Sequence, residues 1–290
     1  MPESKMDQES SVRHPAIRID SHQHFWKYNP IRDGWITDQM KVIQRDFLPH
    51  DLAPVLMENT IDGSVSVQAD QSETETQFLL ELASKNDFIK GVVGWVDLRS
   101  TELDQRLEYY SGFKKLKGFR HIVQGEPIGF MRGKEFSKGI GALKHFNLTY
   151  DILIYPHQIQ DAIWLVSQHP DQKFVVDHLA KPIIREKEFN SWSVPIKELA
   201  SHSNVFCKLS GMVTEANWDR WTNDDFKPYL DFIIQNFGTS RVMYGSDWPV
   251  CLLAASYKKQ LHIVEDYLHT FSASEIDKIM GENAIRFYNL

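Results

Sequence analysis

Eight short apolar runs, separated by stretches with helical spacing, are the feature that most constrains the fold of this chain. The runs cover residues 17–25, 63–68, 90–96, 117–123, 149–155, 173–178, 205–210 and 241–246. Between them apolar residues recur at helical spacing, as at Leu79 and Ala83 after Ser72. Strands that alternate with helices predict parallel pairing, and eight such repeats predict an α/β fold closed into a (β/α)8 TIM barrel.

The chain has the length of a single barrel. It contains 290 residues, of which 42% are hydrophobic, and neither a repeat nor a Gly/Ser linker divides it. We expect a polar tail at residues 1–14 and one barrel domain at residues 15–290. The tail lacks the apolar core of a secretory signal, and no run of about eighteen apolar residues could span a membrane. We therefore expect a cytoplasmic protein without a membrane partner.

Charge and missing motifs exclude several classes of function. The net charge of −7 and the lack of a Lys/Arg run predict no nucleic-acid partner. There is no Gly-x-Ser-x-Gly elbow and no phosphate-binding glycine loop, so neither a serine nucleophile nor a nucleotide cofactor is expected. Cys207 and Cys251 adjoin predicted strands, where buried packing is the favoured interpretation. A homo-oligomer is compatible with all of these features.

Histidines and a carboxylate stand where predicted strands end. His22 and His24 finish the first run, and His178 finishes the sixth. Asp247 directly follows the eighth. Side chains two apart on a strand share a face, and catalytic groups of TIM barrels lie at the carboxyl ends of the strands, so these four should meet. Asp247 would accept a proton from water while the histidines, or a metal that they hold, stabilise an oxyanion, which predicts hydrolysis of an ester, lactone or amide.

Other polar and aromatic side chains at or near the ends of the predicted strands are candidates for binding a ligand. They are Trp26, Gln68, Trp95, Arg120, His121, Gln124, Tyr155, Lys208 and Trp248. The aromatic rings could form apolar walls, the amides, His121 and Lys208 could bond hydroxyl groups, and Arg120 could pair with a carboxylate. Each residue also has a structural interpretation, because periodicity does not show which of them point into the barrel.

Seven motifs, in order along nearly the whole chain, resemble those of a known family. They read DSHQHFW at 20–26, VQADQSETE at 67–75, GFRHIVQ at 118–124, DHLAKP at 177–182, CKLSG at 207–211, YGSDWP at 244–249 and ENAIRFY at 282–288. The set resembles the amidohydrolase superfamily of barrel hydrolases, of the amidohydrolase-2 type. It is most similar to the sugar-lactonase branch, which includes L-fuconolactonase and L-rhamnonolactonase-like proteins.

The resemblance implies an enzyme that opens a sugar-acid lactone, such as an L-fuconolactone-like aldonolactone, to the aldonic acid. In that family pattern Asp247 would be the general base, and His22, His24 and His178 would be catalytic. The same four residues would hold one divalent metal, for which zinc is the expected ion, while a metal-free site is the alternative. His157 follows a proline and falls in a loop, so a binuclear centre is not expected.

Other functions stay open at this point. A metal-dependent decarboxylase or an amide hydrolase of the same superfamily would use the same barrel, and the sequence does not separate them from a lactonase. A barrel that only binds a sugar acid is a further alternative. The intact set of His22, His24, His178 and Asp247 argues against it, because a binder has no need of all four at strand ends.

Overall fold

Eight parallel strands pair in chain order in the computed structural model of the protein, which describes residues 16–290. They are β1 (Ile19–Gln23), β2 (Gly63–Val67), β3 (Ile89–Gly94), β4 (Leu116–Ile122), β5 (Thr149–Leu153), β6 (Phe174–Val176), β7 (Val205–Leu209) and β8 (Val242–Tyr244). The sheet curls into a nearly closed barrel, so the predicted fold is confirmed. The predicted tail at 1–14 lies outside the described residues, and the limits of the domain stay a prediction.

Helices alternate with these strands. They are α1 (Pro49–Glu58), α2 (Glu73–Lys85), α3 (Leu103–Ser111), α4 (Lys134–Leu143), α5 (Ile159–Gln168), α6 (Asn190–Ala200), α7 (Met212–Glu215), α8 (Asn223–Phe237), α9 (Tyr257–Leu268), α10 (Ala273–Asp277) and α11 (Asn283–Tyr288). A π-helical turn at Lys278–Glu282 joins the last two. Among residues 16–290, no helix is both long and apolar enough to cross a membrane.

Several strands are shorter than the apolar runs that predict them. The run at 173–178 contains a strand only at Phe174–Val176, and the run at 241–246 contains one only at Val242–Tyr244. The backbone leaves the extended conformation beyond these points, because φ is 54° at His178 and 57° at Asp247. His178 and Asp247 therefore lie on tight turns that follow their strands, whereas His22 lies in β1 itself.

Two apolar layers hold the barrel. The larger one fills the space between the strands and the surrounding helices, and both cysteines are buried. The smaller one lies inside the barrel, where Ile19, Val65 and Val93 pack against Phe287 and Tyr288 of α11. Because Phe287 and Tyr288 belong to the last helix, α11 closes the amino-terminal end of the barrel and leaves the carboxyl end for function.

The barrel closes between its first and last strands through the backbone of candidate site residues. The N–H of Asp247 donates to the carbonyl of His22 at 2.8 Å, and the N–H of His24 donates to the carbonyl of Trp248 at 2.7 Å. Asp20 supports the junction, because its carboxylate accepts the N–H of His22 at 3.1 Å. Closure of the barrel thus brings the first-strand histidines beside Asp247.

The loop between β2 and α2 is held by a buried carboxylate. Glu75, in the first turn of α2, accepts the N–H of Ala69 and, at 3.0 Å, the N–H of Asp70. The Oγ of Ser72 caps the same helix by accepting the N–H of Glu75 at 3.1 Å. Burial raises the pKa of Glu75 to about 7, although both backbone hydrogen bonds oppose the change. A charged Glu75 is therefore costly to the folded protein at neutral pH.

We expect this cost to make the stability difference between wild type and Glu75→Gln depend on pH. The pKa of Glu75 is raised from 4.5 to about 7, so its favourable contribution is present below about pH 4.5 and is lost as the pH rises through about 7. Urea unfolding measures the free energy of unfolding of Glu75→Gln relative to that of wild type. We expect this difference to favour the variant by about 2–3 kcal/mol more near pH 8 than near pH 5. The exposed Glu58→Gln is the control, and an equal difference at both pH values would contradict the prediction.

Candidate active site

Four buried side chains converge at the carboxyl end of the barrel. His22 Nε2 lies 3.2 Å from His24 Nε2, which lies 3.4 Å from Asp247 Oδ1. His178 Nε2 lies 3.8 Å from the same carboxylate oxygen. These are the four residues that the sequence nominates as catalytic, and the structure brings them together.

Strand alternation places the two first-strand histidines in one pocket. Gln23 lies between them and points to the other side of the sheet, where its Nε2 donates to Ser64 Oγ at 3.2 Å. His24 Nδ1 lies 2.7 Å from the carbonyl oxygen of Val67. A carbonyl can only accept a hydrogen bond, so His24 carries a proton on Nδ1 and turns its Nε2 towards the pocket.

His178 reaches the pocket from a left-handed turn. The φ angles of residues 178–181 are all between 54° and 58°, which turns the chain sharply after β6. The ring lies against Gly211, and its Nδ1 lies 2.8 Å from Ser210 Oγ. A Cβ at position 211 would stand 2.6 Å from His178 Cγ, so this packing requires a glycine.

Burial and neighbouring charges set the protonation states of the site. Burial lowers the pKa of His22 and of His178 well below the usual histidine value, although nearby carboxylates oppose the change. Burial alone would raise the pKa of Asp247, but the neighbouring imidazoles and Lys181 hold it below its usual value. Near pH 7 His22 and His178 are therefore neutral, and the Asp247 carboxylate is ionised.

Beneath the histidines lies a buried set of charges, here called the floor cluster, which comprises Asp151, Asp177, Arg120 and Lys208. Arg120 Nη1 donates to Asp177 Oδ2 at 2.9 Å, and Lys208 Nζ lies 3.0 Å from Asp177 Oδ1. Lys208 also donates to Asp151 Oδ2 at 2.6 Å. Two cations thus balance two carboxylates. Burial alone would raise the pKa of Asp177, but Lys208, His22 and Arg120 together hold it well below its usual value.

Three predicted ligand-binding residues are tied into the protein below the pocket. The guanidinium of Arg120 also donates to the carbonyl of Gln68, and Gln68 Nε2 donates back to the carbonyl of Arg120 at 3.1 Å. Arg120 Nη1 lies 3.4 Å from His22 Nε2, which puts one edge of the guanidinium at the pocket. Lys208 is fully buried beneath His22, so contact with a substrate hydroxyl would require the floor cluster to open.

The other predicted ligand-binding residues lie around the barrel mouth, and they differ in whether their polar groups already have protein partners. The indole N–H groups of Trp26 and Trp95 are engaged, by the carbonyl of Arg45 and by His121 Nδ1 respectively. Gln124 Nε2 is a buried donor that has no protein partner among the described residues. Of the remaining three candidates, His121 is bound to Glu126, and Trp248 is buried against Phe25 and Phe47. Tyr155 is 41% exposed and stacks on His157.

Sequence reasoning assigned no role to three residues that support the site. Asp177 and Asp151 hold the floor cluster together, and Ser210 orients His178. A signal was present for the two carboxylates, because each stands within or directly after an apolar run where an unpaired charge would be costly. Ser210 carried no comparable signal, because a serine after a strand is common.

The spacing of the converging histidines and carboxylates also suits a divalent metal ion. His22, His24 and Asp247 each offer one atom within 4.8 Å of the others, and His178 forms a second such group with His22 and Asp177. Separations of 3.2 and 3.4 Å are close to the roughly 3.3 Å that tetrahedral zinc bonds of about 2.0–2.1 Å produce. Two imidazoles and a carboxylate are also a donor set that zinc accepts, so this group could hold the ion.

Comparisons with known proteins agree with this architecture. The sequence profile of the amidohydrolase family Amidohydro_2 matches residues 19–290. The L-fucono-1,5-lactonase of Burkholderia multivorans is 39% identical over 95% of this chain and 97% of its own length. The L-fucono-1,5-lactonase of Burkholderia ambifaria is 34% identical over 95% of this chain and 96% of its own length.

A solved structure is similar over the same region. The crystal structure of an amidohydrolase from Burkholderia multivorans with bound zinc superposes with a TM-score of 0.92 at 39% sequence identity. The match covers 95% of this chain and 100% of that one. The resemblance seen in the sequence motifs is therefore confirmed over the barrel.

We expect Gly211→Ala to disturb His178 in a way that an equivalent glycine change elsewhere does not. Gly129 is the matched control, because both glycines have positive φ but a Cβ at 129 would meet nothing within 4 Å. Gly129→Ala should cost about 1–2 kcal/mol of unfolding free energy, the ordinary cost of a left-handed alanine. Gly211→Ala should cost at least about 1 kcal/mol more and shift the imidazole NMR signals of His178. Equal costs and unchanged His178 signals would contradict the packing described above.

Proposed function

The chain belongs to the amidohydrolase family, and on that premise we propose that it hydrolyses a sugar-acid lactone to the open-chain aldonic acid. L-Fucono-1,5-lactone and related aldonolactones are the proposed substrates, because two relatives over 30% identical along nearly the whole chain are L-fucono-1,5-lactonases. The observation that carries the proposal is an ionised, buried Asp247 with three imidazoles around it. This arrangement suits attack of water on a polarised carbonyl.

Asp247 is the proposed general base. Its carboxylate takes a proton from water while the water oxygen bonds to the lactone carbonyl carbon. The carbonyl oxygen becomes an oxyanion, and His22, His178 and the nearby edge of Arg120 are placed to stabilise it. When the ring C–O bond breaks, Asp247 returns the proton to the departing hydroxyl, so the carboxylate is regenerated and one water is consumed.

The ring and hydroxyl groups of the sugar have candidate partners at the barrel mouth. Trp95 and Tyr155 are partly exposed there and are proposed as apolar walls. The unpartnered Nε2 of Gln124 is proposed to donate to a substrate hydroxyl. A donor left without a partner in a buried position is costly unless a ligand satisfies it, so Gln124 is the most specific of these candidates.

We propose zinc as the ion of the metal-bound protein, with His22, His24 and Asp247 as its ligands and His178 beside them. A bound zinc would polarise the carbonyl as a Lewis acid. His24 is oriented for this role by Val67, which keeps its Nε2 directed at the pocket.

The proposal predicts proton release from aldonolactones. We expect rapid turnover of L-fucono-1,5-lactone at about pH 8, with slower turnover of L-rhamnono-, L-galactono- and D-xylono-lactones. The assay follows proton release with enzyme as purified, after chelator treatment, and after zinc is restored. Absence of turnover on every lactone, with or without zinc, would overturn the proposed function in favour of an amide hydrolase, a decarboxylase or a binding protein.

Asp247→Asn should keep the fold and lose lactone hydrolysis by about 10²–10⁴-fold in kcat, because an amide cannot accept the proton of water. The far-ultraviolet circular dichroism spectrum should match wild type. Asp219→Asn is the control, since Asp219 is an exposed carboxylate outside the site, and it should retain full activity. Near-wild-type turnover by Asp247→Asn would remove Asp247 from the role of base.

A further inference from the structure

Trp95 lies at the barrel mouth with both its backbone and its indole N–H hydrogen-bonded. It directly follows β3, where the hydroxyl of Thr76 accepts the N–H of Trp95 and donates to its carbonyl, both at 2.8 Å. The indole N–H donates to His121 Nδ1 at 3.3 Å. This N–H is the only polar group that an indole has, so the bond to His121 uses the whole hydrogen-bonding capacity of a partly exposed ring.

The surroundings of His121 select one neutral form of its ring. Nδ1 faces the indole N–H, which can only donate, and Nε2 lies 2.7 Å from a carboxylate oxygen of Glu126, which can accept. Nδ1 therefore accepts, and Nε2 carries the proton. Burial lowers the pKa of His121, although Glu126 opposes the change, so the ring is neutral at about pH 8.

Aromatic packing holds the ring of His121 in this orientation. It stacks on Phe130 with ring centroids 4.9 Å apart, and it meets Phe136 edge-to-face with centroids 5.8 Å apart. The residue is only 4% exposed. Turning the ring would break these contacts, so Nδ1 stays directed at Trp95. Both nitrogens are engaged within the protein, which leaves His121 no free nitrogen for a substrate hydroxyl.

The bond between His121 and Glu126 also bridges the turn that carries Gln124. The two residues flank the 3-10 turn Val123–Gly125, in which Gln124 lies. Gln158 supports the same segment, because its Nε2 donates to the carbonyl oxygens of residues 123 and 126 at 2.8 and 3.2 Å. One hydrogen-bonded segment thus holds both the ring of Trp95 and the turn with the unpartnered donor of Gln124.

We propose that His121 is a positioning residue, fixed in its tautomer by Glu126, that holds the Trp95 indole in one orientation as a wall for the sugar ring. Neither His121 nor Glu126 contacts the substrate. A wall that is fixed before binding loses little conformational entropy when the ligand arrives, so the bond should strengthen binding. The wall rests on the proposed function, whereas the bond between Trp95 and His121 is measured without substrate.

Two variants at position 121 separate the acceptor from the packing of the ring. His121→Phe keeps an aromatic ring beside Phe130 but removes the acceptor of the indole N–H. His121→Asn removes the ring but keeps an oxygen acceptor close to the position of Nδ1. If the acceptor matters, His121→Phe is the more damaging change, and if only packing matters, His121→Asn is.

His169→Phe is the matched control. His169 is also partly buried and hydrogen-bonded, with its Nε2 2.9 Å from Ser137 Oγ. It follows α5 and precedes β6, which places it at the amino-terminal end of the barrel, away from the mouth. This variant should leave the NMR signals of Trp95 and the affinity for ligand as in wild type.

The bond is measured first, by nitrogen-15 NMR at about pH 8. The indole signal of Trp95, assigned by its loss in Trp95→Phe, should exchange with solvent at least about tenfold faster in His121→Phe than in wild type. It should stay closer to wild type in His121→Asn. An unchanged exchange rate in a folded His121→Phe, or a larger change in His121→Asn, would overturn the proposal.

The tautomer of His121 is read from the same labelled protein. We expect a pyridine-type Nδ1 and a pyrrole-type Nε2 in wild type, with the signals assigned by their loss in His121→Asn. Glu126→Ala should let a fraction of the ring carry its proton on Nδ1, because Nε2 then has no acceptor. The opposite tautomer in wild type would overturn the proposal whether or not any variant folds, and an unchanged tautomer in Glu126→Ala would remove Glu126 from it.

Kinetics test the wall. If wild type hydrolyses L-fucono-1,5-lactone, His121→Phe should raise KM about 3–10-fold and keep kcat within about twofold, because a fixed wall strengthens binding of ground state and transition state alike. His121→Asn should lie between His121→Phe and wild type. An unchanged KM in His121→Phe, or a loss confined to kcat, would overturn the proposal.

Binding of the open-chain acid L-fuconate, measured by calorimetry, separates this proposal from the proposed function. His121→Phe should bind it about 3–10-fold more weakly than wild type, even if wild type hydrolyses no lactone. Turnover without this difference would overturn the wall alone. Neither turnover nor binding by wild type would overturn the proposed function and the wall with it, while the NMR measurements still decide whether His121 holds Trp95.

Discussion

Closure of the barrel between β1 and β8 is the constraint on which the site depends. The backbone groups that join these strands belong to the residues that face the pocket, since Asp247 donates to His22 and His24 donates to Trp248. The distance between the carboxylate and the first-strand histidines is therefore set by the closure itself. A change that opened this junction would destroy the fold and the site together. The hydrogen bonds of the junction also hold Asp247 in its backbone conformation of positive φ, which is unfavourable for a residue other than glycine.

A second feature of the molecule is the polar interior of the barrel, which lies above the apolar layer next to α11. TIM barrels are usually filled by branched apolar side chains, and Val65 and Val93 continue that pattern near α11. Above them, Lys208 and its carboxylates replace the apolar layer, and Tyr288 of α11 donates to Asp151 at 2.7 Å. The last helix is thereby connected to His22 through buried hydrogen bonds. Burial of such a cluster costs desolvation free energy, which its mutual ion pairs and hydrogen bonds offset.

Much of this architecture could be predicted from the sequence, because it depends on local pattern. Eight apolar runs indicated the barrel, and the positions of His178 and Asp247 at run ends indicated the site. The direction of each polar side chain could not be predicted in the same way. Lys208 and Trp26 were equal candidates to bind a ligand, yet one lies under His22 and the other donates to a loop carbonyl. These outcomes depend on the tilt of the strands and on irregular loops, which periodicity does not encode.

In the mechanism that we propose, Asp247 activates water and does not attack the substrate itself. A single turnover of L-fucono-1,5-lactone in water enriched in oxygen-18, with enzyme in excess, distinguishes these two routes. Activation of water should leave one labelled oxygen in the carboxylate of the product and none in Asp247, because the oxygen of water forms the new bond to the carbonyl carbon. An unlabelled product together with label in the Asp247 carboxylate would show covalent catalysis and rule out a role for Asp247 as base.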